Sequence, residues 1–191
     1  MNSELHLAFS KMLNCGAAGQ LEWETKNLLA AVRDFLRPVV SIELGGCNGG
    51  MSYLIAEVTS NRVFSVDICH STNETARHAK VTYVTGRIEN YSTIREVEAG
   101  IGTGNKADFL FIDADHSRDA VTRDYWMWRP LVRSGGWIAF HDINNPGVPG
   151  VREFWDTIAG EKIEFVQTDS HNLFGYSGMV GCGGIGVVKV P

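Results

Sequence analysis

Six side chains able to carry acid–base or metal chemistry fall at the ends of short apolar runs. They are Glu43 in VVSIEL, Asp67 in RVFSVD, Asp113 and His116 in FIDADH, and His141 and Asp142 in WIAFHD. If the runs are neighbouring parallel strands, about 4.8 Å apart, Asp113 and Asp142 can converge on one hard divalent cation. Two carboxylates plus water suit Mg2+, whereas an added imidazole from His141 shifts the preference toward Mn2+, iron or another imidazole-tolerant metal. Successive strand residues point to opposite faces, so His141 joins Asp142 at an ion only if the backbone turns between them. Asn144 or Asn145, in the loop INNPG, offers a further oxygen. Asp115 alternates with Asp113 and reads as a support of the strand end.

Glu43 precedes Gly45, Gly46, Cys47, Asn48 and Gly49, a loop of small residues that lets a ligand approach the backbone. A dinucleotide fingerprint GxGxxG needs glycine at the position that Cys47 occupies, so pyrophosphate is disfavoured. A carboxylate at Glu43 repels phosphate and suits the ammonium of an aminoacyl ligand. Asp67, closing the next apolar run, can accept hydrogen bonds from both hydroxyls of a ribose. A cationic amino acid joined to a ribose describes S-adenosylmethionine (SAM).

The elements that must carry these groups follow from periodicity. Leu21, Leu28, Val32 and Phe35 recur at helical spacing and predict a helix over Glu22 to Leu36, stopped before Pro38. PVVSIEL reads as a strand buried on both faces, and RVFSVD, KVTYVTG, ADFLFID and WIAFHD read as further strands. Helices are expected at MSYLIAEV, at Ser71 to Ala79 with a capping box over Ser71 to Glu74, at YSTIREVEA, along the stripe Val121, Tyr125 and Trp128, and along Val151, Phe154, Trp155 and Ile158. SGG is expected as a turn before the fifth strand. IEFVQ and IGVVKV close the chain as an antiparallel hairpin. The sum is a Rossmann-like α/β fold, a doubly wound, mostly parallel seven-stranded sheet that binds ligands beyond its carboxyl ends. Trp126, Met127, Trp128 and Trp155 read as packing, and Tyr176 in the glycine-rich stretch GYSGMVGCGGIG is a candidate lid.

A chain of 191 residues with 44% apolar content fits a single domain over 1–191, of which 1–20 is an N-terminal extension. The net charge of −5 is spread evenly, which excludes the basic stripe that nucleic acid or an anionic membrane requires. Cys15, Cys47, Cys69 and Cys182 form no CxxC pair, and no signal or membrane-spanning run is present, so a cytoplasmic protein is expected. No motif bears on assembly, and a homo-oligomer is left open.

IELGGCNGG resembles the first motif of class I SAM-dependent methyltransferases, and VFSVD their second. FLFIDADHS and GGWIAFHDI are similar to the fourth- and fifth-strand motifs of the small-molecule O-methyltransferase group, with its catechol O-methyltransferase-like and cephalosporin-hydroxylase-like members. The resemblance covers Gln20 to Lys189. It implies the strand order 3-2-1-4-5-7-6, metal-assisted methylation of a small-molecule hydroxyl, an ion at Asp113 and Asp142, and His116 as the base that deprotonates the acceptor. Gly86-Arg87 departs from the small or acidic residue usual after the third strand, where adenine is read. Two other readings remain at this stage: a nicotinamide-dependent oxidoreductase on the same topology, and a non-catalytic adenosyl-binding partner subunit.

Overall fold

The computed structural model of the chain describes Leu7, Ser10 and residues 22–70, 77–166 and 183–191. The capping box at Ser71 to Glu74, Tyr176, Cys15, Cys182 and most of the 1–20 extension lie outside the described residues. Arg77 to Ala79, expected as the end of a helix, are not helical.

In chain order the described elements are α1 (Glu22–Ala31), β1 (Val40–Leu44), α2 (Gly50–Thr59), β2 (Arg62–Asp67), β3 (Val81–Thr85), α3 (Tyr91–Ile101), β4 (Ala107–Ile112), α4 (Arg118–Trp128), β5 (Val132–His141), α5 (Gly150–Trp155), β6 (Lys162–Phe165) and β7 (Ile185–Lys189). The strands form one sheet in the order β3-β2-β1-β4-β5-β7-β6. The first five strands are parallel, and β7 runs antiparallel between β5 and β6. This is the expected fold and strand order.

Alternation along each strand divides the core in two. Ile42, Leu44, Leu110, Ile112, Ile138 and Phe140 point to the layer of Val97, Val121, Trp128 and Trp155, on α3, α4 and α5. Phe109, Phe111 and Ala139 point to Leu28 and Leu29 of α1 and Leu54 and Ile55 of α2. By the same alternation Glu43, Asp113 and His141 belong to the α1–α2 side, before any turn at the strand ends.

Two local expectations are corrected. A π-helical turn over Val32–Leu36 follows α1, closed by a hydrogen bond from Arg37 N–H to the Val32 carbonyl at 2.8 Å. Its wider repeat rotates Phe35 off the buried stripe, leaving it 83% exposed. SGG is not a turn ahead of β5 but an interruption within it. The β4–β5 register jumps from Ala107↔Val132 to Phe109↔Trp137, and Gly135 takes φ +73° to accommodate the extra residues.

Asp108 secures this irregular end of the sheet. Its Oδ2 accepts from the N–H groups of Val39 (2.8 Å) and Val40 (3.0 Å), and its Oδ1 accepts from Arg133 Nε at 2.5 Å. Burial alone would raise its pKa, but the Arg133 guanidinium and the two backbone donors hold the carboxyl below its ordinary value. A depressed carboxyl contributes stability that is present above the unfolded-state pKa and lost as pH falls. Asp108→Ala is therefore expected to cost about 2 kcal/mol at neutral pH by denaturant unfolding. The gap from the unsubstituted chain should narrow below about pH 4; a gap constant down to pH 2 would exclude the ionic tie.

Candidate active site

Where β1 turns into α2, the backbones of two strand ends come too close for any side chain. A Cβ on Gly45 would lie 1.9 Å from the carbonyl oxygen of Asp113, and Gly45 has φ +89°. Gly45 and Gly46 N–H both donate to the Val66 carbonyl, and Asp113 N–H donates to that of Leu44. The ends of β1, β2 and β4 are thereby locked in register, and their terminal side chains emerge on one rim. Cys47 takes a left-handed φ of +39°, which aims its N–H at Asp67 Oδ2 at 2.8 Å. Asp67 Oδ1 accepts from Cys69 N–H at 3.0 Å. A carboxylate has about four lone-pair sites, so Asp67 keeps acceptor capacity for a ribose diol.

Beside this turn lies a cleft of about 430 Å³ lined by Gly45, Cys47, Asp67 and Asp113 among others. Gly46, Asn48 and Gly49 shape the turn without lining the cleft. Glu43 does not line it either. Its carboxyl is buried and accepts from Ser52 Oγ and, at 3.0 Å, Ser65 Oγ. Burial raises the Glu43 pKa to about 7 against the pull of these hydroxyls, with Asp113 adding to the rise.

The far end of the cleft contains residues that sequence reasoning passed over: Ile68, Ile88, Glu89, Arg123 and Asp124. Asp124 is 1% exposed and paired with Arg123 Nη2 at 2.9 Å. Its position three residues after Val121, on the buried stripe of α4, was the available signal. Burial raises its pKa despite the Arg123 partner. Arg87 also lines this end, paired with Glu89 at 2.6 Å. Trp128 and Trp155 are packing, as expected, with indole N–H groups donating to the Ile88 carbonyl and to Glu164 Oε1, whereas Trp126, also read as packing, lies on the outer face of α4 and is 61% exposed.

At the ends of β4 and β5, one ligand atom from each of Asp113, His116, His141 and Asp142 lies within 4.8 Å of the others. His116 Nε2 is 2.8 Å from Asp142 Oδ2 and 3.5 Å from Asp113 Oδ1. His141 Nδ1 is 3.3 Å from Asp113 Oδ1 and 3.1 Å from Asp142 Oδ2. The condition set for His141 is met: Asp142 has φ +63°, and this left-handed turn swings its carboxylate back to the side His141 faces. Asp115 does not enter the cluster, since its Oδ1 accepts from Ser117 N–H at 2.8 Å, at the start of α4.

These contacts are close but misdirected. His116 Nε2 and both nitrogens of His141 are buried without a hydrogen bond, although His141 is only 6% exposed. Orphaned imidazole nitrogens beside two carboxylates fit a divalent ion, because one ligand atom from each of the four residues lies within 4.8 Å of the others. The charges adjust accordingly. The carboxylates of Asp113 and Asp142 raise His116 to about 9. Burial opposes the charging of His141, yet the Asp113 and Asp142 carboxylates raise it to about 10. Burial likewise opposes ionisation of Asp142, but His116 and His141 hold its carboxyl far below the usual range. A second, open hollow of about 750 Å³ lies beyond His116, between Ser117 and Arg118 of the α4 start and Val148, Pro149 and Glu153 of the α5 start. It shares Asp115 with the first cleft.

Comparison with known proteins gives the family and the fold. Residues 42–143, just over half of the chain, match a family described as "Methyltransferase domain", and the chain belongs to that family. A rhamnosyl O-methyltransferase of Mycobacterium tuberculosis is 23% identical over 181 residues, covering 86% of this chain and 72% of the relative. Among solved structures, an O-methyltransferase from Bacillus cereus bound to S-adenosylhomocysteine (SAH) superposes with a TM-score of 0.65 at 20% identity, over 99% of this chain and 91% of the other. The O-methyltransferase TomG from Streptomyces achromogenes, in complex with SAM, gives 0.63 at 17%, over 100% and 91%. MycE, in complex with Mg, SAH and mycinamycin VI, gives 0.58 at 17%, over 74% of this chain and 40% of MycE. The chain is a methyltransferase by family, with a Rossmann-like fold. Among the described residues no helix is long and apolar enough to cross a membrane.

The imidazole charges are directly testable in protein stripped of metal. A raised imidazole contributes stability that is fully present below its unfolded value, near 6.5, and lost as pH rises through the folded value. NMR titration should find His116 and His141 protonated at pH 7.5, and stability should fall as pH climbs from about 7 through 9 to 10. Imidazoles neutral at pH 7.5, with flat stability over this range, would contradict the assignment.

Proposed function

We propose that this methyltransferase passes the methyl group of SAM to a hydroxyl of a small-molecule acceptor, with a divalent metal held by Asp113, His141 and Asp142. The observation that carries the reading is the convergence of these groups and His116 within 4.8 Å, beside the cleft that Asp67 lines. The similar proteins support the same chemistry, since they include a rhamnosyl O-methyltransferase and an Mg-containing complex with SAH.

In this reading Asp67 receives the ribose hydroxyls, Gly45 and Cys47 border the aminoacyl arm, and Glu43 supplies negative charge beneath it. Gly46, Asn48 and Gly49 set the backbone turn that the cofactor lies against. The acceptor enters the open hollow beyond His116. A bound divalent ion supplies Lewis acidity that lowers the pKa of a nearby hydroxyl, and the imidazole of His141 favours Mn2+ over Mg2+. With the ion's charge on Asp113 and Asp142 in place of the proton that His116 carries in the metal-free chain, its imidazole would be neutral, and Nε2 takes the acceptor proton as the oxygen attacks the methyl carbon. The new C–O bond forms as the C–S bond breaks, and the sulfonium leaves as the neutral thioether of SAH.

SAM and SAH should bind in calorimetry and NAD should not, with Asp67→Ala weakening SAM by about 1–3 kcal/mol. Tight NAD binding without affinity for either adenosyl ligand would remove the reading. SAM binding with no turnover on any hydroxyl acceptor would leave a non-catalytic adenosyl-binding subunit instead.

With a competent acceptor, a chelator should suppress turnover without unfolding the chain. His116→Ala should lower turnover by about 10²–10⁴-fold while SAM affinity is largely kept. Near-normal turnover of the variant would reduce His116 to a support for Asp113 and Asp142.

A further inference from the structure

The sequence offers Asn145 as a further oxygen ligand, but the structure turns that oxygen away from the cluster. Asn145 Oδ1 accepts from Gly147 N–H at 3.0 Å, and Nδ2 donates to Asp142 Oδ1 at 2.8 Å. The backbone N–H of Asn145 also donates to the Asp142 carbonyl at 3.3 Å. The amide orientation is fixed by chemistry: a flipped amide would set oxygen against carboxylate and NH2 against an N–H. The two oxygens of Asp142 thus have separate surroundings. Oδ1 is engaged by Asn145, while Oδ2 faces His116 Nε2 and His141 Nδ1.

We propose that Asn145 is the positioning residue of this centre. It holds Asp142 Oδ1 so that Oδ2 alone enters the cluster, and it clamps the left-handed turn that brings Asp142 to the side of His141. The need for a clamp follows from the backbone: a non-glycine residue at φ +63° sits in a sparsely populated region and stays there only when its surroundings over-determine it. Without the amide, Asp142 is free to rotate its carboxylate, to offer both oxygens at once, or to relax the turn and part from His141. Groups that orient metal ligands typically govern affinity to this extent without touching the ion. The inference rests on the metal reading of the cluster given above.

The test measures metal affinity directly, without turnover. The full-length chain is stripped of metal and titrated with Mn2+, free ion being followed by its electron paramagnetic resonance signal. Asn145→Ala removes both side-chain bonds, and Asn145→Leu does so while keeping the volume. Both variants should bind Mn2+ about 10–100-fold more weakly. The line shape of the bound ion should change, with melting temperature and metal-free SAM affinity close to those of the unsubstituted chain. Equal Mn2+ affinity in all three proteins would overturn the role of Asn145 and leave the metal reading standing. A parallel loss of Mn2+ affinity, SAM affinity and melting temperature would overturn it too, marking Asn145 as a general loop support. If the unsubstituted chain binds no Mn2+, the metal reading falls and this inference with it.

Discussion

Two imidazoles and two carboxylates share one partly buried space at the ends of β4 and β5, and the rest of the molecule is arranged to keep them there. Like charges crowded in a poorly solvated place repel strongly, so Asp113 and Asp142 can remain ionised together only if positive charge sits between them. Protons on His116 and His141 supply it in the metal-free chain, which is why both imidazoles are raised while Asp142 is depressed. A divalent cation would carry the same two charges in one centre and engage one ring nitrogen of His141 that otherwise lacks a hydrogen bond. Proton pair and metal ion are thus alternative occupants of one electrostatic need.

Holding that arrangement falls to the sheet. The close approach of Gly45 to the Asp113 carbonyl aligns the ends of β1 and β4, and the turn hydrogen bonds to Val66 tie in β2. At the opposite end Asp108 joins the start of β1 to the interruption in β5 through Arg133. With both ends of the parallel strands fixed, the loops that carry His116 and Asn145 can be short and still well placed. Rigid strands with functional groups on the loops beyond them are the usual division of labour in such sheets.

The cofactor cleft shows a related economy of charge. Glu43 is shielded under two serine hydroxyls, with a pKa near 7 that leaves it sensitive to a nearby ammonium, whereas Asp67 is presented at the rim by two backbone N–H groups. One carboxylate sits beneath the turn and the other faces the solvent-open cleft. At the far end the Arg87–Glu89 and Arg123–Asp124 pairs bring two cations where the sequence alone pointed to a departure from the family pattern.

The order of elements, the seven strands and the placing of Glu43, Asp67, Asp113 and Asp142 at strand ends were legible in the residues. Buried parallel strands must be continuously apolar, and the first carboxylate in or after such a run marks where the strand ends. Periodicity did not register the π turn that exposes Phe35, or the glycine-rich interruption of β5, whose register is set by its pairing with β4. The same limit applied at the centre of the site. Alternation alone sets His141 and Asp142 on opposite faces, and only the left-handed backbone at Asp142, bracketed by Asn145, unites them. The sequence decided which chemical groups arrive at the rim. Long-range packing and one φ angle decided which of them face each other, since a backbone turn is chosen by the contacts it completes rather than by the residue that makes it.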